Sequence, residues 1–190
     1  MNTTSLFVEL VVIGVGVLIW LLLLLVAFFG LPVMPPDNAL LLATALPVLA
    51  LIYVLGIVWD RLADVVFNRL WGRQLRDRYY DDIGAYYDDR RTILMNAPAL
   101  AELLEYGRSR LRICRGWALN ALLIGLTLML VFMRQPDAAQ PLSGLLLAAS
   151  LASLLLALGA WLAWRNLTLS EYRKIREQAR YLAAQGTEPA

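Results

Sequence analysis

A chain of 190 residues that is 60% hydrophobic, with a mean hydropathy of +0.62, lies outside the range of soluble globular domains and belongs with membrane proteins. Its net charge of +2 excludes a global basic field for nucleic acid, and since Lys174 is the sole lysine, its cations are read as local arginine clusters. One cysteine, Cys114, and no histidine exclude an internal disulfide, a Cys/His zinc site and imidazole catalysis.

Residues 6–29 are apolar except for Glu9 and form a first span, because about 20 helical residues cross the hydrocarbon core. No lysine or arginine precedes this run, and it exceeds the roughly 7–15 apolar residues of a secretory signal, so it is expected to remain in the membrane. Gly30, Pro32, Pro35 and Pro36 then predict a tight reversal. Residues 39–59 form a second span, where Pro47 removes a backbone hydrogen bond and predicts a kink. Residues 116–133 and 142–164 form a second pair around another short turn that ends in Pro141.

The expectation is an all-α polytopic membrane protein with four transmembrane helices as two hairpins, helices 2 and 3 being extended into a cytoplasmic helical hairpin. It divides the chain into a first transmembrane hairpin, 1–59, a cytoplasmic helical region, 60–115, a second hairpin, 116–164, and a tail, 165–190. Orientation comes from arginine counting: residues 60–115 hold eleven of the sixteen arginines and nine of the fifteen acids, whereas the first turn has no cation and the second only Arg134. Cytoplasmic flanks collect Arg and Lys, so a bacterial inner membrane protein with both termini cytoplasmic is expected. Trp59, Trp117, Trp161 and Trp164 fall at the inner ends of the spans, where indoles favour the headgroups. Trp20 fits no such belt.

Within the polar region, Leu62, Val65, Val66 and Leu70 continue a 3.6-residue period beyond the second span. Asn96, Pro98 and Glu102 predict a helix start, with Asn96 as N-cap. From there nothing but Gly107, Gly116 and Gly125 interrupts the helical pattern up to Met133. Arg108, Arg112 and Arg115 share one face of that helix, and Asp60 and Asp64 lie one turn apart on the other; setting Trp59 level with Trp117 pairs Asp60 with Arg115 and Asp64 with Arg112. The same arginines could instead meet lipid headgroups. In the last span, Ala149, Ser153, Ala157 and Ala160 or Trp161 form a small-residue stripe for close helix approach. Thr168 to Glu171 reads as a capping box opening a tail helix with an apolar stripe of Tyr172, Ile175, Ala179 and Leu182; residues 185–190 are expected to be disordered.

Tyr79-Tyr80-Asp81-Asp82 recurs as Tyr86-Tyr87-Asp88-Asp89, an offset of seven that would place both copies on one helical face. If several subunits bring these acids together, they form a cation-attracting vestibule; otherwise they are a solvated tip whose tyrosines cover the neighbouring arginines. Channel or gating candidates are therefore Glu9, the ionisable residue inside a span, which about one turn from the span's inner end could instead simply reach the interface, with Asp81, Asp82, Asp88, Asp89, Tyr79 and Tyr86. No phosphate loop, dinucleotide glycine pattern, metal motif or nucleophile elbow occurs, so neither an enzyme nor a cofactor or metal is expected. Two functions fit. The first is a homo-oligomeric, cation-permeable channel gated through its cytoplasmic helices. The second is a non-conducting anchor or signal transducer that docks a soluble protein through residues 60–115, and in both the remaining partners are membrane lipids, not nucleic acid.

Overall fold

The computed structural model describes residues 3–30, 38–134 and 140–185, with no strand among them. The proline-bounded turns, 31–37 and 135–139, and the chain end from 186 lie outside the described residues. In chain order the elements are α1 (Thr3–Phe29), α2 (Asn38–Phe67), a π-helical turn (Asn68–Gly72), α3 (Arg73–Arg76), α4 (Ile83–Asn96), α5 (Pro98–Arg134) and α6 (Gln140–Gln185). Four of them, α1, α2, α5 and α6, are long and apolar enough to cross a membrane, which makes the chain an integral membrane protein. Pro47 lies inside α2. α1 ends where Gly30 adopts a φ of +80° and donates its amide to the Val26 carbonyl at 3.0 Å, a left-handed stop that costs glycine nothing.

α5 is the central element. It touches α1, α2, α4 and α6, and 44% of its most apolar stretch is enclosed, against 11% for α2 and for α6, whose leucines face outward. α1 and α5 advance in the same direction, since Glu9 meets Arg112, the Ile13 carbonyl meets Asn120, and Phe28 meets Arg134. α1 and α2 approach backbone to backbone. A Cβ at Gly14 would strike the Ile52 carbonyl and one at Gly56 the Leu10 carbonyl, so no larger residue fits between them.

At the polar end α6 does not restart at Thr168. That hydroxyl donates to the Trp164 carbonyl at 2.8 Å, one turn back within a continuous helix. No glycine or proline interrupts the stretch, and Trp164, Ile175 and Ala179 stay buried on one face, so tertiary packing carries the helix across a local capping signal. Two apolar clusters hold this end together. Ile93 of α4, Leu104 of α5 and Ile175 and Ala179 of α6 form one, covered by Tyr86, Leu100 and Leu182. Phe67, Leu75, Ala118 and Trp164 form the other, where Phe67 meets Trp164 edge-on at 4.5 Å and Trp71 meets Trp161 at 5.9 Å. The π-helical turn adds a residue to its own turn and so shifts the phase of α3 relative to α2.

Asn96 is the last residue of α4, not the cap of α5. Proline disfavours helical geometry in the residue before it, and Ala97 accordingly sits at φ −142°, ψ 79°, between the two helices. The two Tyr-Tyr-Asp-Asp copies likewise do not share a helix. Asp82 is extended and accepts from the Gly84 amide at 2.9 Å as the N-cap of α4, so the first copy lies in the turn before α4 and the second within it.

Candidate functional site

Five charged side chains from three helices meet where the apolar stretches give way to the polar end. Arg112 of α5 reaches Glu9 of α1 at 3.2 Å and Asp60 of α2 at 3.4 Å; Arg115, one turn on, reaches Asp60 at 2.9 Å and also Asp64. Glu9 further accepts from the Ser5 hydroxyl at 3.2 Å and from the Ser109 hydroxyl. The side chains of Glu9 and Asp60 are only 6% and 8% exposed, so these charges have left water and depend on one another. Three carboxylates face two guanidinium groups. Fully ionised, the cluster carries one negative charge, spread over hydroxyl and guanidinium donors.

This register differs in one partner from the pairing read off the sequence. The Trp59 indole donates to the Gly116 carbonyl at 3.4 Å, and Asp60 does meet Arg115, but Asp64 turns to Arg115 and to Asn68, at 3.1 Å, while Arg112 turns to Glu9. The difference comes from α1. A two-helix alignment leaves Arg112 for Asp64, whereas a third helix beside α5 presents a deeper carboxylate to it. Trp20 stacks on Trp59 at 5.4 Å rather than joining a belt.

Above this junction opens a cleft of about 550 Å³ between the π-helical turn, α3, α4, α5 and α6. Its walls carry five arginines, Arg73, Arg76, Arg90, Arg108 and Arg115, against two carboxylates, Asp64 and Glu171, a surplus of three positive charges. Among the described residues no direct ion pair holds Arg73, Arg90 or Arg108. Tyr86 and Tyr172 line the same wall, edge to face at 5.3 Å. Arg108 therefore belongs to the cleft and not to the ion junction.

The acidic candidates are dispersed. Tyr80, which is buried, donates its hydroxyl to Asp89 at 3.0 Å, and its ring packs on Tyr86 at 5.5 Å. Burial first, and then the hydrogen bond and charge of Asp89, push the Tyr80 phenol well above its usual range; burial likewise raises Tyr86. Asp82 caps α4, and Asp81 and Asp88 are exposed. Tyr79 is half-buried, its carbonyl accepting from Arg176. No three Asp, Glu or Cys side chains converge as a metal site among the described residues.

Sequence reasoning passed over Ser5 and Ser109 as partners of Glu9, and Arg73, Arg76, Arg90, Glu171 and Tyr172 as one wall. The first had a signal: Ser5 lies one turn before Glu9, and Ser109 one turn before Arg112. The second had none, because its members come from elements whose packing no local pattern encodes. No family model matches the chain, and neither does a curated protein or a solved structure.

Proposed function

We propose that the chain is a non-conducting anchor or transducer of a bacterial inner membrane, built as two transmembrane hairpins, with its termini and polar end in the cytoplasm, that docks a soluble partner through residues 60–115. The arginine excess of that stretch supports the orientation. The observation that carries the function is the state of Glu9: this carboxylate inside the first span is 6% exposed and takes Arg112, Ser109 and Ser5 as partners, which supports a structural role for it rather than a conducting one. The same bonds tie the first span to α5, so a force on the polar end reaches the membrane part through charged contacts, not through a flexible tether.

The test is reconstitution of the purified chain in planar bilayers, together with photo-crosslinking in cells from a probe at the exposed Tyr87. The expected result is no protein-dependent current and one discrete adduct whose mass is not a multiple of the chain's own. The second reading, a homo-oligomeric cation channel, is favoured by the exposed Asp81 and Asp88 and by the outward faces of α2 and α6. Four spans are too few to enclose a water path alone, so it requires a ring of copies. Cation current that falls in Asp88→Asn, with adducts at multiples of the chain mass, would establish it and overturn the first.

A further inference from the structure

We infer that the arginine-lined cleft is a binding site for a phosphate-bearing anion. This concerns the site alone and stands whether or not the spans conduct. Arg73 from α3, Arg90 from α4 and Arg108 from α5 converge on one 550 Å³ space without a direct ion pair among the described residues. Like charges on three separate helices repel, and the carboxylate beside them, Glu171, which interacts with both Arg90 and Arg108, offsets only part of that positive charge. Arg76 and Arg115 share the wall, but each already has a carboxylate partner, Asp77 for the first and Asp60 and Asp64 for the second. The cleft is thus rich in donors and short of acceptors.

The number and geometry of those donors select the ligand. A carboxylate carries one charge and two oxygens in one plane, which leaves most of a surplus of three positive charges unmet. A phosphate or diphosphate offers more oxygens and more charge, and can accept from forks that arrive from three directions. The volume lies within the range of small-molecule pockets, about 300–1,000 Å³, so the phosphate can carry an organic group. The Tyr86 and Tyr172 rings provide an apolar wall for that group, and Glu171 beside them can accept from a hydroxyl. Phosphate of this kind comes either from a soluble metabolite or from a lipid headgroup, since the floor of the cleft, at Asp64 and Arg115, adjoins the apolar stretches of the spans.

The test uses the full chain in nanodiscs of neutral phosphatidylcholine, titrated calorimetrically with inorganic pyrophosphate, and in parallel nanodiscs containing phosphatidic acid, read by native mass spectrometry of retained lipid. The site predicts saturable binding of one pyrophosphate or selective retention of phosphatidic acid, weakening as salt rises. Arg90→Gln and Arg108→Gln should each lower the affinity about tenfold or more, and Arg165→Gln, outside the cleft, should not. Should either variant lose its helical circular dichroism, Arg108→Lys, which keeps the charge and loses the fork, is expected to show the same fall. Pyrophosphate binding assigns a soluble ligand; retention of phosphatidic acid alone assigns a lipid headgroup. Binding of neither probe, equal binding of succinate, or affinity untouched by the Arg90 and Arg108 substitutions would overturn the assignment.

Discussion

The charged junction ranks substitutions in an order that pairwise distances alone would not. Removing Arg115 leaves Glu9 and Asp60 to a single guanidinium, Arg112, leaves Asp64 with Asn68 alone, and takes from Asp60 its 2.9 Å partner in a site where that carboxylate is 8% exposed. Breaking a buried pair by deleting one member costs about 3–5 kcal/mol, so Arg115→Ala should lie in that range. For a chain of this size each kcal/mol corresponds to about 2–4 °C, so a fall of roughly 6–20 °C in Tm is expected. Asp60→Ala leaves two carboxylates for two arginines, Glu9 with Arg112 and Asp64 with Arg115, and should cost less. Asp64, 37% exposed, should cost about 1 kcal/mol or less. Double-mutant cycles on detergent-solubilised protein, followed by tryptophan fluorescence during heating, separate the pairs. Asp60 with Arg115 should show a coupling of about 0.5–3 kcal/mol, and Asp64 with Arg112, which do not bond, a coupling near zero. Equal couplings for the two pairs, or a stability order in which Asp64→Ala exceeds Arg115→Ala, would refute this geometry.

Ile93→Ala should cost about 2–5 kcal/mol, because the side chain is fully enclosed between α4, α5 and α6; hydrogen exchange should rise in residues 83–104 and stay low in the spans. Gly14→Ala should destabilise by about 1–3 kcal/mol through the Ile52 carbonyl, whereas Gly144→Ala, with open space around it, should be neutral or slightly stabilising in the same melts. The raised phenol of Tyr80 gives a pH prediction whose sign is fixed. The folded chain holds that proton above pH of about 10, where the unfolded chain releases it, so its contribution is complete below about pH 10 and declines as pH rises further. Chemical unfolding between pH of about 9 and about 11.5 should therefore show a steeper loss for the native chain than for Tyr80→Phe; identical slopes would dismiss it.

The four apolar runs were legible because their signal is length against hydrocarbon thickness, which no tertiary contact can alter. Pro98 was equally legible as a helix start, since its ring acts on its own neighbours. What failed were local signals with a competitor outside the window. Thr168 to Glu171 has the composition of a cap, yet Trp164 and Ile175 on either side are anchored to Phe67 and to Ile93, and that burial outweighs a cap of about 1 kcal/mol. The seven-residue Tyr-Tyr-Asp-Asp offset would place both copies on one face only in an unbroken helix, and Asp82 starts a new helix between them.

The candidate site divides along the same line. Arg112 and Arg115 could be placed on one face of α5, and Asp60 and Asp64 on one face of α2, from spacing alone; which acid meets which arginine could not, because the answer depends on α1. Glu9 lies 103 residues from Arg112, inside a run whose other members are apolar, and nothing between them encodes their separation in space. Yet the chemistry narrowed the possibilities. A carboxylate one or two turns inside a span must find a donor, neutralise or reach the surface, and the surface option demands an exposed side chain. Since Glu9 is 6% exposed, the surface option is closed, and the nearest donors are those on α5, the helix that runs beside α1 in the same direction. Arg115 shows the limit of such reasoning from the other side. It belongs at once to the buried junction through Asp60 and to the open cleft through Asp64, so its two roles appear only when α2, α5 and the polar end are assembled together.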